Sequence, residues 1–97
     1  MRKPYVYILS NVHETVFYVG VTSDIKRRVY EHRNHLLKGF TDRYNITKVL
    51  FVESWDTMED AIAREKQLKN WNRDKKTTLI NTINPTHSDL YDEVMRL

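Results

Sequence analysis

Residues 5–22, YVYILSNVHETVFYVGVT, decide how the rest of the chain is read. Two apolar runs, residues 4–9 and 16–21, flank a short polar stretch, SNVHET, at residues 10–15. Both runs are apolar on successive positions and rich in Val, Tyr and Phe, so they read as strands covered on two faces. The polar stretch between them suits a hairpin. Each run carries a Tyr-Val pair, and the second ends at Gly20, one of only two glycines. Packing alone would be served by more Val and Ile. Tyr7 and Tyr18 are therefore either core residues with satisfied hydroxyls or working phenols.

Downstream, Thr22 and Ser23 offer N-caps and Asp24 falls in the first turn of a helix. Ile25, Val29, His32 and Leu36 stand at i, i+4, i+7 and i+11, an apolar stripe that runs to Leu36. Lys38-Gly39 is the expected stop. Residues 40–46 read as an irregular segment with at most a helical turn, and residues 48–53 (KVLFVE) as a third strand. Asp56 and Thr57 cap the next helix, with Glu59 three residues after Asp56 as in a capping box. That helix runs from about residue 58 to 69 or 72. Residues 73–81 form a further short helix, Asn84-Pro85 breaks the chain, and residues 88–95 form a last one. The expected architecture is α+β: a small, mostly antiparallel three-stranded sheet flanked by helices, in the order β-β-α-β-α-α-α.

A chain of 97 residues is expected to be one domain with one modest core. Its 40% apolar and 30% charged residues are those of a globular protein. No apolar run approaches the ~18 residues of a membrane span, and MRKP leads straight into a strand pattern, so neither membrane nor signal peptide is expected. The chain has no cysteine, which excludes disulfides and thiolate metal sites and makes a cytoplasmic setting the expectation. The net charge of +3 is modest, but its distribution is uneven. Residues 26–43 and 64–76 are two basic blocks, and residues 88–97 turn acidic. Solvated helix faces explain such blocks, and so does a face for a polyanion.

One carboxylate is out of place. At ~100° per residue, Met58, Ala61, Ile62 and Leu68 lie within one arc of the helix, and Glu65 falls in its middle. A carboxylate in a buried stripe is costly unless paired, hydrogen-bonded or metal-bound. Glu65 is either a structural ion pair with a nearby arginine, or a metal ligand or general acid/base at the edge of a cleft. Arg28, beside the stripe of the first helix, is either a rim arginine whose stem covers the core or a group leaning toward the sheet. The four histidines form no metal cluster by spacing, and His32 and His35 read as a surface pair. Trp71 reads as a helix-junction residue, with stacking on a base as the alternative.

Taken together, Tyr5-Val6-Tyr7, Tyr18-Val19-Gly20, Arg28 and Glu65 resemble the GIY-YIG nuclease superfamily. Two short strands bear "GIY" and "YIG" about ten residues apart, followed by an arginine and later a glutamate on helices. Arg28 stands eight residues after Gly20, and Glu65 lies in AREKQLKNW. The resemblance covers about residues 3–90, with the motif core at about 3–84, and the ending through Asn84-Pro85 and Asp89-Leu90 is similar to small stand-alone bacterial members. The chain departs from the pattern at Tyr5, where the first glycine would be, at Val21, where several relatives have lysine, and at Thr41, about where some carry a catalytic histidine.

The resemblance implies a divalent-metal-dependent endonuclease that hydrolyses DNA phosphodiester bonds, with branched and single-stranded DNA among the candidate substrates. Tyr7, Tyr18, Arg28, Glu65 and Asn84 would be its catalytic residues, with Asn81 as the alternative to Asn84. One Mg²⁺ or Mn²⁺, bound with substrate on Glu65, would act as a Lewis acid and steady the leaving 3′-oxygen. Arg28 would hold the scissile phosphate. Tyr7 or Tyr18 would position or deprotonate the attacking water, and Gly20 would keep the cleft clear for substrate. Lys69, Arg73, Lys75 and Lys76 would track the phosphate backbone. No small-molecule cofactor is implied. Two other readings remain: a nucleic-acid-binding module of the same fold without catalysis, and a protein-interaction domain using Trp71 and the acidic tail.

Overall fold

The computed structural model describes residues 2–97. The elements follow in the order β1 (Tyr5–Ser10), β2 (Phe17–Thr22), α1 (Ile25–Arg33), α2 (Phe40–Arg43), β3 (Lys48–Ser54), α3 (Met58–Lys69), α4 (Arg73–Ile83) and α5 (Tyr91–Met95). The sheet is wholly antiparallel, with strand order β2-β1-β3. β1 is thus the central strand, which is why its sequence is apolar on both faces. Val6 and Ile8 enter a core with Ala61 and Leu68 of α3 and Ile80 of α4. Tyr7 and Leu9 enter a second core with Ile25 and Val29 of α1 and Val94 of α5. The fold is α+β, with helices on both faces of a three-stranded sheet. Among the described residues no helix is long and apolar enough to cross a membrane.

The hairpin between β1 and β2 is closed by the Asn11 side chain. Its Oδ1 accepts from the backbone N–H groups of Thr15 (2.9 Å) and Val16 (3.0 Å). Glu14, in the left-handed region at φ 56°, completes the turn. Its carboxylate reaches Lys48 Nζ at 3.0 Å and His87 Nδ1 at 2.6 Å, tying the hairpin to β3 and the C-terminal segment. Burial opposes ionisation of Glu14, but the bonds from His87 and Lys48 outweigh it and hold the carboxyl below its usual range.

Helix α1 ends earlier than its apolar stripe suggested. It stops at Arg33, and the terminator is His35 rather than Lys38-Gly39. His35 adopts φ 56°, its N–H donates to the His32 carbonyl (3.2 Å), and the Leu36 N–H donates to the Glu31 carbonyl (2.9 Å). These two bonds define a Schellman motif with histidine where glycine is commonest. Leu36 therefore leaves the stripe and stands 59% exposed. The same device ends α2, with Asn45 at φ 55° and the Ile46 N–H on the Thr41 carbonyl at 2.9 Å.

One expected cap shifts and one narrows to a single residue. Asp24 itself caps α1, accepting from the Arg27 N–H at 3.3 Å. Thr57 caps α3 through the Asp60 N–H at 3.1 Å, so Glu59 closes no capping box with Asp56. Asn72 caps α4, accepting from the Lys75 N–H at 2.9 Å, and the helix runs past Asn81 to Ile83.

β3 is an edge strand, and its edge is covered. Ile8 pairs with Phe51 and Leu9 with Val49, so Leu50 is the extra residue of a β-bulge. The C-terminal segment takes up the groups left open there. Leu90 N–H donates to the Val49 carbonyl (2.8 Å), Asp89 Oδ1 accepts from the Val49 N–H (3.1 Å), and Asn84 Nδ2 donates to the Leu50 carbonyl (3.1 Å). Arg33 Nη2 holds the same Asp89 at 2.5 Å. An unpaired edge invites pairing with another chain, and this segment removes the invitation.

Candidate active site

The cross-strand partner of Tyr7 is Gly20. A β-carbon built on Gly20 would lie 2.4 Å from Tyr7 Cζ and 2.4 Å from its hydroxyl oxygen. Gly20 therefore makes room for the Tyr7 ring, which lies across the place its side chain would occupy. The sequence reading gave that space to substrate; the structure gives it to the phenol. The Tyr7 side chain is almost wholly buried, and Tyr18 is half-buried one strand away, their ring centroids 6.4 Å apart.

Helix α1 brings two groups to these phenols. Ile25 and Val29 seat the helix on the sheet, and the residue on the same stripe one turn on is His32, buried at 5% exposure. His32 is no surface residue: its ring lies 5.9 Å from Tyr7 and 5.8 Å from Tyr18, and its Nε2 is 3.4 Å from the Tyr7 hydroxyl. Its Nδ1 is buried with no hydrogen-bond partner among the described residues. The signal was present in the sequence, since His32 lies on the Ile25–Val29 stripe, four residues after Arg28. Thr41, where a histidine was looked for, is buried on α2. Arg28 is half-exposed and its Nε lies 3.4 Å from Glu31 Oε1. A cleft of about 260 Å³ opens beside it, lined by Thr22, Asp24, Arg27, Arg28 and Glu31. A larger hollow of about 720 Å³ lies between Arg2, Tyr5 and the start of α1. The two share Ser23 and Asp24, and only the smaller one is lined by Arg28.

The groups perturb one another. Burial pushes the Tyr7 phenol well above its usual value, Tyr18 and Glu65 push the same way, and the Arg28 guanidinium opposes them. Burial brings His32 down to about 4, Arg28 adds to the fall, and Glu31 resists it. Both side chains are therefore neutral near pH 7. Burial thus opposes proton transfer from Tyr7 to His32 at both ends, by disfavouring the phenolate and the imidazolium alike.

Helix α3 packs across β2 and β1 and supplies Glu65. Ala61 and Leu68 are its buried anchors, whereas Ile62, expected in the same arc, is 37% exposed. The Glu65 side chain is only 14% exposed, and Lys69 Nζ lies 3.0 Å from its Oε2. The ion pair is with this lysine one turn on; the neighbouring Arg64 binds Glu53 instead (Nε to Oε1, 3.0 Å). Among the described residues no group of three or more His, Asp or Glu side chains could hold a metal. One half-shielded carboxylate fits a hard cation that keeps its waters and shares a substrate phosphate; it does not fit a cation caged by protein alone.

The remaining candidates are placed elsewhere. Asn84 is buried and fully used: Nδ2 donates to the carbonyls of Leu50 and Ser88, and Oδ1 accepts from the Ser88 N–H and hydroxyl. It makes no hydrogen bond to Tyr7, Tyr18, Arg28 or Glu65. Asn81 Oδ1 contacts His87 Nε2 at 2.7 Å. Arg73 grips the carbonyls of Glu14 and Thr15 and lies over the Phe17 ring, 4.1 Å from its centroid. Lys75 Nζ lies 5.1 Å from the centre of the Trp71 ring, and Lys76 is half-buried with no ion pair among the described residues. Trp71 packs against the α3–α4 core and stands between Arg64 and Lys75, as a helix-junction residue should.

Comparison with known proteins places this geometry. The profile described as the GIY-YIG catalytic domain matches residues 3–79. A UPF0213 protein of Staphylococcus saprophyticus is 31% identical over 80 residues, covering 82% of this chain and 96% of that protein. A UPF0213 protein of Haloquadratum walsbyi is 35% identical over 75 residues, 77% of this chain and 83% of the relative. The solution NMR structure of a UPF0213 protein from Bacillus halodurans superposes with a TM-score of 0.58 at 24% identity, over 90% of this chain and 92% of that one. At that identity the superposition speaks for the fold.

Proposed function

The chain belongs to the GIY-YIG family, in its small UPF0213 branch, and from that premise we propose that it is a divalent-metal-dependent endonuclease acting on DNA phosphodiester bonds. The observation that carries this reading is the cluster of the Tyr7, Tyr18 and His32 rings with Arg28 beside the Tyr7 phenol, in a chain that also shields one carboxylate, Glu65, on α3. A binding module has no need of a buried phenol against a buried imidazole, nor of a shielded carboxylate on the helix that packs across the same two strands.

Arg28 presents a planar fork of donors to the scissile phosphate and offsets the charge that builds there. Glu65 would hold one Mg²⁺ or Mn²⁺ together with a phosphate oxygen, and Lys69 must yield that carboxylate when it does. The ion supplies Lewis-acid stabilisation of the leaving oxygen. The attacking water gives its proton to the Tyr7 oxygen while Tyr7 passes its own to His32 Nε2, so tyrosinate never accumulates. Substrate makes this easier, because a phosphate on Arg28 cancels the positive charge that helps to hold His32 near 4. Tyr18 closes the pocket against the Tyr7 and His32 rings. Lys75 and Lys76 remain candidates for backbone contacts, and Lys69 joins them once it releases Glu65, whereas Arg73 is committed to the hairpin carbonyls. Asn84 acts here by covering the β3 bulge.

The test is cleavage of a labelled panel of plasmid, single strands, flaps and four-way junctions with Mg²⁺ or Mn²⁺, wild type beside Glu65→Gln. Metal-dependent cutting lost in the variant supports the reading. Salt-dependent binding without cutting by wild type overturns it in favour of the non-catalytic module.

A further inference from the structure

Phe40 and Tyr44 are large aromatic residues left half in solvent, at 50% and 43% exposure. They bracket α2, whose other side is anchored by buried Thr41 and by Ile46 just beyond the helix. Their rings lie 4.8 Å apart. Phe40 also stacks on Tyr18, with centroids 6.2 Å apart and planes at 26°. Tyr18 in turn faces Tyr7 and His32, so a continuous row of rings runs from the candidate site to open surface.

The backbone is built to present this row. Gly39 holds φ 111° with ψ −144°, a conformation open to glycine, and Phe40 follows at once as the first residue of α2. A β-carbon on Gly39 would meet nothing within 4 Å, so its requirement is conformational. The Asn45 terminator pins the other end. The rim is cationic. The Arg43 guanidinium lies 5.8 Å from the centre of the Tyr44 ring, Lys38 is exposed nearby in sequence, and the one acid on α2, Asp42, is taken by His35 at 3.0 Å.

We infer that Phe40 and Tyr44 form a stacking subsite for an unpaired nucleobase next to the phosphate that is cut. The inference rests on the nuclease reading for the position of that phosphate. The observation that favours a base over a protein partner or a second copy is this pairing of flat rings with Lys38 and Arg43, which make no ion pair among the described residues, continuous with the phenols. Every base has a π-face, and a guanidinium beside the ring serves the adjacent phosphate. In an intact duplex the base faces are already covered by their neighbours, so the subsite selects strands whose bases are free to turn out.

The experiment measures binding by fluorescence anisotropy in the Glu65→Gln background without divalent metal, so that no strand is cut. The probes are a labelled 20-mer single strand, the same strand with abasic sites through its centre, a perfect duplex, and a duplex carrying a single-stranded flap. Phe40→Ala and Tyr44→Ala are expected to weaken the single strand and the flap by about tenfold to a hundredfold. Duplex affinity should change by less than about twofold, and Phe40→Ala should have no further effect on the abasic strand. Phe40→Leu keeps the apolar contact but removes the ring, and it should lose most of the same affinity, with thermal melts confirming an intact fold. Equal losses on single strand and duplex, or no loss on either, overturn the inference. So does a change from dimer to monomer in Phe40→Ala with single-strand affinity unchanged, which would make the rings a contact between copies. The nuclease reading fails separately: wild type that binds with this preference but cuts nothing leaves the subsite standing.

Discussion

Replacing Gly20 with alanine tests the tightest contact in the site. The new β-carbon would sit 2.4 Å from two Tyr7 atoms and 2.8 Å from a third, where ordinary contacts begin near 3.4 Å. Gly20 is not among the positive-φ residues, so the cost is one of space and not of backbone conformation. The Tyr7 ring is 1% exposed and has nowhere to retreat without moving His32 or the sheet. Overpacking of this kind costs about 1–3 kcal/mol, and an overlap of an ångström belongs at the upper end. For a chain of this length that lowers Tm by roughly 10–20 °C. Urea denaturation followed by tryptophan fluorescence, with Trp71 against the core as a reporter, measures it. The decisive arm is a double-mutant cycle with Tyr7→Leu, which removes the colliding ring atoms. In that background Gly20→Ala should cost less than about 0.5 kcal/mol, giving a coupling near 2 kcal/mol. Equal cost in both backgrounds would refute the argument. A stable Gly20→Ala protein that binds DNA poorly would restore the view that the glycine clears a path for substrate.

Asn84→Ala strips the bulge of its donor and leaves Leu50 and Ser88 groups unpaired, so it should cost about 2–3 kcal/mol in a thermal or urea melt while cleavage per folded molecule is unchanged. His32 has a folded value near 4 against an ordinary 6.5, so the unfolded chain binds more protons between those values. Stability should therefore be full above pH 6.5 and fall as the pH drops toward 4, by up to about 3 kcal/mol, and His32→Phe should flatten that slope. Lys69→Gln removes the ammonium that competes for Glu65, and isothermal titration with Mn²⁺ in the presence of a non-cleavable single strand should show about twofold tighter binding, the size of an i,i+4 ion pair.

The strands were legible because each is a short run of β-branched and aromatic residues bounded by polar turns. β1 announced its central place by being apolar at every position but its last. Arg28 and Glu65 became candidates by the spacing of the motif they resemble and by the oddity of a carboxylate among Ala61 and Leu68, and the structure shows that carboxylate 14% exposed and paired with Lys69. His32 was missed although it lies on the stripe of α1, because histidine is at home on either side of a helix. The stripe appeared to continue to Leu36 only because a left-handed His35, unlike a glycine, leaves no mark in the sequence. The work of Asn84 depends on a bulge at Leu50, which exists only once β1 and β3 are in register. Charge patterning named Lys69 and Arg73 for phosphate, but it could not see that one turns back to Glu65 and the other reaches a hairpin 59 residues away.

The most direct test of the central claim is one gel: a labelled single strand and a flap incubated with wild type, Glu65→Gln and His32→Ala, each in Mg²⁺, Mn²⁺ or EDTA. The account predicts cutting by wild type in metal alone, none by Glu65→Gln, and a loss of about a hundredfold or more in His32→Ala with binding intact. Cutting that survives EDTA or the Glu65→Gln change, at wild-type rates, would contradict it.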